Sequence, residues 1–197
     1  GTDTMARTLG DLLSKDLGQI VVIENKAGAG TVIGNDSVAN SAPDGHTLLI
    51  NTSAFAAVVA LQAKLPYAGE NAFSAVTLLG RAPNVAVVNV DSPLKSGVDF
   101  LSYAKANPGK LSYGSAGNGT STHLAAELLK SNNRIFVTHI PYRGATPAIT
   151  DLMGRQVDVV FGTLPSVAPF IASGKLRALA VTSATRSALL PNVPTFA

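Results

Sequence analysis

The sequence predicts an α/β protein whose parallel sheets are covered by helices on both faces, and three observations support this. Short apolar runs typical of strands alternate with segments of helical period along the chain. Runs such as VDVVF at 157–161 are apolar at nearly every position, which suits strands buried on both faces. Two similar glycine loops, AGAGT at 27–31 and AGNGT at 116–120, occur in the two halves of the chain. They favour two lobes that face one cleft.

The individual elements follow from periodicity and from end signals. Met5 to Leu17 carries apolar residues at helical spacing and ends at Gly18, and Thr146 with Pro147 forms a helix start. The predicted strands are 19–24, 47–50, 75–79, 85–90, 111–113, 136–140, 157–161 and 176–182. The predicted helices are 5–17, 31–40, 54–64, 96–106, 121–130, 147–153 and 165–173.

The composition excludes several classes of function. Apolar residues make up 46% of the 197 residues and charged residues 14%, with a net charge of +3, so the chain is globular. No block of Lys and Arg occurs, so no nucleic-acid partner is expected. The absence of cysteine excludes disulfides, thiolate zinc sites and cysteine nucleophiles. No stretch is apolar enough over about 18 residues to predict direct membrane insertion.

Both glycine loops are predicted to seat an anion. Each follows a predicted strand and opens a predicted helix. Glycine lets the backbone turn sharply and lets a ligand approach closely, while the first helical N–H groups have no partner and carry a partial positive charge. Such a helix start suits a carboxylate or a phosphate. A tight turn without a ligand is the plain alternative for either loop, and the hydroxyl-rich second loop favours binding more than the first does.

A nucleotide-dependent enzyme is the alternative function. The first loop reads G-x-G-x-x-x-G, one residue longer than the dinucleotide fingerprint, and lacks the acidic residue expected about 20 positions later. A nucleotide- or phosphometabolite-dependent α/β enzyme that uses the two loops therefore remains as an alternative hypothesis.

Other chemistry is sparse. No G-x-S-x-G, P-loop or H-E-x-x-H motif occurs, so no catalytic residue, metal site or cofactor is predicted. His123 could face the cleft, and a Ser121/His123 nucleophile pair is conceivable, although residues two apart on a helix point to different faces. His139 is expected in the core. Arg143 could hold a carboxylate, although a solvated surface position is the default for arginine.

Five ordered blocks of the sequence point to one family. These blocks are LGQIVVIENKAGAGTVIG, APDGHTLLINTS, NPGKLSYGSAGNGTSTHLAAELL, HIPYRGATPAITDLMGRQVDVVFGTLPS and GKLRALAVTSATRSALLPNVPT. Together they resemble the Bug-type receptors, the extracytoplasmic solute-binding proteins of tripartite tricarboxylate transporters. The resemblance implies a two-lobe periplasmic-binding-protein type 2 architecture and a periplasmic location. It also implies a small organic acid ligand and delivery to membrane permease subunits.

The resemblance also implies lobe boundaries. Lobe one is expected at 1–90, with 181–197 returning to it, and lobe two at 91–180. Crossing segments are expected near 88–92 and 178–183. Family members begin with an earlier strand and continue well beyond PNVPT, so we expect both ends of this chain to be cuts inside a longer protein, with the signal peptide outside it.

Matching positions supply the candidate ligand-binding residues. In lobe one they are Gly1, Thr2, Asp3, Ala29, Gly30, Thr52 and Ser53. In lobe two they are Ser115, Gly117, Asn118, Thr120, Ser121, Thr163 and Pro165. Gly162 departs from the family, in which many members carry an aspartate that can meet a ligand ammonium, so this chain is expected to prefer a plain organic acid over an amino acid.

Overall fold

The computed structural model describes residues 1–197, and the chain divides into two units, Gly1–Leu78 and Leu79–Ala197. We call them the first unit and the second unit. No helix combines the length and the apolar character needed to cross a bilayer.

The first unit is built from helices and extended segments. Its α-helices are α1 (Thr2–Leu17), α2 (Val32–Ala39) and α3 (Ala54–Leu61), with short 3₁₀ helices at Ala29–Thr31 and Gly69–Ala72. α1 ends at Gly18, whose φ of 66° closes the helix in the left-handed conformation. The buried small and apolar residues of the first unit are Ala6 and Gly10 of α1 and Ala54 and Val58 of α3.

The three strands predicted in the first unit are not formed. Residues 19–24, 47–50 and 75–79 are extended but pair with no neighbour. Val21 and Ile23 pack near Gly10 of α1, while Ile20 and Val22 between them are 89% and 81% exposed. The apolar pattern therefore sets which side chains face α1, but a strand also needs a hydrogen-bonded partner, which this chain does not provide here.

The second unit is a three-layer α/β/α structure. Its elements are β1 (Asn84–Asn89), α4 (Gly97–Ala106), β2 (Ser112–Ser115), α5 (Ser121–Asn133), β3 (Thr138–Pro141), α6 (Ala145–Met153), β4 (Val159–Thr163), α7 (Leu164–Ala172) and β5 (Leu176–Val181). The strands form one sheet in the order β3-β2-β4-β1-β5. The α/β class predicted from the sequence is confirmed.

Two apolar layers cover this sheet. On one face Ala86 and Val88 pack with Phe100 of α4 and Ala126 of α5. On the other face Val85 and Val87 pack with residues of α6 and α7, including Ile149, Leu152, Leu164 and Val167. Successive residues of β1 thus enter opposite cores, which explains why its sequence is apolar at every position.

The sheet is mixed rather than fully parallel. β2 runs parallel to β3 and β4, whereas β1 runs antiparallel to both β4 and β5. A strand buried on both faces has the same apolar sequence in either direction, so the sequence pattern could not predict this reversal.

The division into units differs from the expected lobe boundaries. β1, expected to belong to lobe one, is bonded to β4 and β5 inside the second unit. The expected crossing segment at 88–92 therefore lies at the end of β1 within the second unit, and the chain enters this unit before Asn84. An apolar strand sequence does not reveal its pairing partners, and within this chain β1 pairs only with strands of the second unit.

The last residues also pack on the second unit. Val181 at the end of β5 donates its N–H to the carbonyl of Pro194 at 2.9 Å, and Phe196 donates back to Val181 at 3.0 Å. The Phe196 ring stacks on Phe161 with centroids 6.3 Å apart. Within this chain, the segment expected to return to lobe one is thus an added edge beside β5.

Candidate functional site

Three helices of the second unit begin at one edge of its sheet. β2, β3 and β4 run in the same direction, and α5, α6 and α7 follow their carboxyl ends. Ser115 pairs with Pro141, so β2 and β3 end level with each other. The partial positive ends of three helix dipoles therefore lie at this edge, where open α/β sheets bind ligands.

The second glycine loop connects β2 to α5 in a conformation that needs glycine. Gly117 has φ 126° and Gly119 has φ 75°. A Cβ atom on Gly117 would lie 3.0 Å from the carbonyl oxygen of Tyr142. The turn therefore requires glycine at 117 both for its backbone angle and for space.

Hydroxyl groups hold this loop from inside. Thr120 Oγ1 donates to the Gly117 carbonyl at 2.6 Å, and the Ala116 N–H donates to Thr122 Oγ1 at 3.0 Å. Thr120 also caps α5 by accepting the His123 N–H at 3.4 Å. The Thr120 hydroxyl, a candidate ligand contact, is engaged in ordering the loop.

Ser115 and Ser121 have different surroundings. Ser115 is fully buried, accepts the Gly117 N–H at 3.1 Å and shares a hydrogen bond of 2.7 Å with His139 Nε2. Ser121 is half-buried, and its hydroxyl donates to Asn84 Oδ1 at 3.3 Å. Asn118 is exposed at the loop tip. Ser115 therefore supports the loop from below, while Ser121 begins α5 at its surface.

Two backbone donors remain at the start of α5. The N–H groups of Ser121 and Thr122 precede the first intrahelical bond and donate to no acceptor within the chain. Thr120 immediately before them has an extended conformation, with ψ 159°. Ser121 is half-buried and Thr122 is 1% exposed, so the Ser121 N–H is the more accessible of these two donors.

A stack of three rings lies behind the loop. The His123 ring is stacked on His139 at 4.3 Å, and His139 is stacked on Tyr113 at 4.7 Å. His123 Nδ1 accepts the Gly119 N–H at 3.2 Å. His123, a possible cleft residue by its sequence, therefore forms a hydrogen bond within the second glycine loop. His139, expected in the core, forms one with Ser115 just before that loop.

Burial and charge set the protonation of this stack. Burial lowers the pKa of His139 to about 4, with a further lowering from the neighbouring His123. Burial also raises the pKa of Tyr113, whose hydroxyl donates to Glu127 at 2.6 Å. For Glu127, burial raises the pKa, but the bonds from Lys130 and Tyr113 outweigh it and leave the pKa below the usual value. His139 is therefore neutral at neutral pH.

The start of α7 lies beside this edge as well. Thr163 is half-buried and its hydroxyl shares a 2.6 Å hydrogen bond with Ser166, while Pro165 is exposed in the first turn. Thr163 pairs with Asn84 across β4 and β1, and Asn84 bonds to Ser121. The structure thus connects the candidates of α7 and α5 through Asn84.

Gly162 faces the core behind this edge. A Cβ atom on Gly162 would lie 2.5 Å from Cγ1 of Val167 in α7. A side chain here would first meet the packed interior between β4 and α7. The expectation that position 162 points to a ligand ammonium is therefore not supported by this geometry.

In the first unit, the candidates lie around the first glycine loop. Gly28, Ala29, Gly30 and Thr31 all have positive φ, and the 3₁₀ helix at Ala29–Thr31 contacts α3, which Thr52 and Ser53 precede. The Thr52 hydroxyl accepts the Ala54 N–H at 3.3 Å, and Ser53 is exposed.

Asn35 ties this loop together. It is 1% exposed, and its Nδ2 donates to Tyr67 at 2.9 Å and to Thr31 at 3.3 Å. Its Oδ1 accepts from Asn51 at 2.9 Å. An asparagine beside a glycine loop is a signal that sequence reasoning missed, as it missed Asn84.

The start of α1 lies close to the residues before the first loop. Asp3 accepts from Arg7 at 3.0 Å and from Asn25 at 2.5 Å, and these two bonds lower the pKa of Asp3. Gly1 and Thr2 are exposed at the same helix end. Asp3, the one carboxylate among the candidates, is therefore already paired.

The chain matches one protein family and several solved structures. The model of the tripartite tricarboxylate transporter family receptor matches residues 5–197. The periplasmic binding protein BugD superposes with a TM-score of 0.93 at 35% identity, over 98% of this chain and 65% of BugD. An R. palustris protein solved with adipate gives 0.94 at 33% identity, over 99% and 66%. MatC from Rhodopseudomonas palustris, solved with malate, gives 0.90 at 33% identity, over 99% and 67%.

Three of the curated relatives that it matches are longer than this chain, which spans 58% to 61% of their length at 40% to 41% identity. The neighbours are solute-binding proteins, and they give no support to the nucleotide-dependent enzyme alternative. The family match covers nearly the whole chain. This protein belongs to the tripartite tricarboxylate transporter receptor family.

Proposed function

We propose that this chain is part of a periplasmic receptor that binds a small organic acid and delivers it to the permease subunits of a tripartite tricarboxylate transporter. The observation that carries the proposal is the start of α5, where Ser121 and Thr122 present unpaired N–H groups behind a glycine loop. A carboxylate suits such donors because they carry the positive end of the helix dipole. Two family neighbours bound to adipate and malate support this ligand class.

The remaining candidates complete the proposed site. Ser115, Gly117, Asn118 and Thr120 would shape the loop, and Thr163 and Pro165 would border it. We propose that the ligand is held between two lobes, as in periplasmic binding proteins. The first-unit contacts would then come from Gly1, Thr2, Asp3, Ala29, Gly30, Thr52 and Ser53.

A pair of variants at one position tests the backbone donors. Ser121→Pro removes the first N–H of α5, and proline is tolerated there because it is the first helical position and Thr120 is extended. Ser121→Ala removes the same hydroxyl but keeps the N–H. We expect Ser121→Pro to bind more weakly than Ser121→Ala by roughly tenfold to a hundredfold, the worth of one hydrogen bond to a charged group.

The measurement is calorimetric titration with succinate, malate and adipate, with succinamide as the uncharged control and AMP as the nucleotide control. The proposal predicts that at least one dicarboxylate binds and that succinamide and AMP do not. Equal affinity of Ser121→Pro and Ser121→Ala for the dicarboxylate would contradict binding of the acid by the Ser121 N–H. Binding of AMP in place of the acids would contradict the proposed function.

A further inference from the structure

Both polar atoms of the Asn84 side chain form hydrogen bonds with Ser121, the first residue of α5 after the second glycine loop. Its Nδ2 donates to the Ser121 carbonyl at 3.1 Å, and its Oδ1 accepts from the Ser121 hydroxyl at 3.3 Å. Asn84 is 8% exposed. A buried amide costs free energy unless its groups are bonded, so this pairing fixes both residues in place.

The backbone around Asn84 bonds to the other elements of the same edge. The Pro83 carbonyl accepts the N–H of Leu164, the first residue of α7, at 3.0 Å. The Asn84 carbonyl accepts the Thr182 N–H at 2.9 Å, and the Asn84 N–H donates to the Thr182 hydroxyl at 3.1 Å. The dipeptide by which the chain enters β1 is thus joined to the starts of two helices and to the residue after β5.

Peptide geometry carries the effect of Asn84 to the unpaired donors. The Ser121 carbonyl and the Thr122 N–H belong to one planar trans peptide and point in opposite directions. As a helical residue, Ser121 already accepts an intrahelical N–H at this carbonyl, and the bond from Asn84 adds to the hold on the direction of the Thr122 N–H. This N–H is one of the two donors left free at the start of α5.

We propose that Asn84 is a positioning residue for the anion seat. It acts through Ser121 to aim the first-turn N–H groups of α5, and it couples that seat to the segment through which the chain enters the second unit. The inference rests on the proposed function, because the ligand whose binding it assists is the organic acid proposed above.

Asn89 offers a matched control on the same strand. It lies at the other end of β1, and its Nδ2 also donates to a backbone carbonyl, that of Met153, at 3.0 Å. Asn84→Ala and Asn89→Ala each remove a side-chain amide bonded to a helix of the second unit. Only Asn84→Ala disturbs the start of α5.

The experiment is a double-mutant cycle of Asn84→Ala and Ser121→Ala, read by calorimetric titration with succinate, malate and adipate. We expect Asn84→Ala to weaken the tightest of these by about tenfold, Asn89→Ala to leave it within about twofold, and the double variant to lose less than the product of the single losses. An Asn84→Ala loss no larger than that of Asn89→Ala would overturn the proposal. If Asn84→Ala does not fold, the isosteric Asn84→Asp, which lacks the donor to Ser121, takes its place.

A ligand-free readout separates this proposal from the proposed function. The backbone amide resonance of Thr122 in the unliganded chain should shift in Asn84→Ala and stay in place in Asn89→Ala. If no acid binds the unmodified chain but this shift occurs, the proposed function fails and the positioning of Thr122 stands. If acids bind and Asn84→Ala changes neither the affinity nor the Thr122 resonance, the positioning role fails alone.

Discussion

The imidazole ring of His123 is stacked on that of His139, with the ring centroids 4.3 Å apart and the ring planes inclined by 22°. His123 accepts the Gly119 N–H of the second glycine loop, and His139 shares a hydrogen bond with Ser115 just before that loop. Two imidazolium rings at this distance would repel each other. Glu127 and Lys130 of α5 are the other charged groups that act on His139, the carboxylate raising its pKa and the ammonium lowering it.

The stack of His123 and His139 predicts that the folded chain loses stability as the pH falls. The pKa of His139 is about 4 in the folded chain, below the usual 6.5, chiefly because of burial. Between these two values the unfolded chain binds more protons, so stability is complete above pH 6.5 and falls as the pH drops toward 4. Because the ring is partly exposed to solvent, we expect a loss of about 1–2 kcal/mol.

Denaturant unfolding at pH 7 and pH 4.5 measures this loss. His139→Gln keeps a polar group beside Ser115 but cannot titrate, so its stability should depend less on pH. His46→Gln replaces an exposed histidine of the first unit and should keep the full dependence. A dependence that persists unchanged in His139→Gln would assign the titration to another group.

The two glycines of the second loop should differ in their tolerance of alanine. Gly117→Ala brings a Cβ against the Tyr142 carbonyl at φ 126°, whereas Gly119→Ala meets open space at φ 75°. We expect Gly117→Ala to cost about 2–3 kcal/mol of stability and Gly119→Ala about 1. Affinity for succinate should fall more in Gly117→Ala, measured by calorimetry alongside unfolding. A larger effect at Gly119 would contradict the described loop.

The packing of Gly162 predicts a stability effect. Gly162→Ala should destabilise the second unit by about 1–3 kcal/mol, because the added methyl overlaps Val167. In a Val167→Ala background the same change should cost much less. Unfolding curves of the four proteins measure this coupling. An additive result would show that position 162 does not face Val167.

Ligand selectivity gives a further prediction. Asp3 is the one carboxylate among the candidate residues, and it is already paired with Arg7 and Asn25. An ammonium group would therefore find no free counter-charge among them, and burying it unpaired is costly. We expect succinate to bind at least about tenfold more tightly than aspartate, a difference of about 1.4 kcal/mol. Parallel titrations decide this, and tighter binding of aspartate would contradict it.

Much of the second unit could be predicted from its sequence. Runs such as Val85–Val88 are apolar on both faces because both faces are covered, and Thr120 and Gly117 are the residues that a capped helix after a tight turn requires. The direction of β1 relative to β4 and β5 could not be predicted, because a strand buried on both faces is apolar whether it runs parallel or antiparallel to its neighbours.

The pairing of distant residues was outside the reach of sequence reasoning. Asn84 bonds to Ser121 across 37 positions, and nothing in the letters around Asn84 indicates that partner. The three unpaired segments of the first unit show the opposite limit. Their apolar pattern is typical of strands, yet such a pattern indicates only which side chains are buried. It does not indicate which other segment would pair with them.

The backbone amide resonances of Ser121 and Thr122, followed while a dicarboxylate is titrated into the chain, test the central claim most directly. A carboxylate that accepts these N–H groups should move both amide protons downfield in proportion to its occupancy, and succinamide should not move them. A dicarboxylate that binds while the largest shifts fall outside the second glycine loop and the start of α5 would contradict the account.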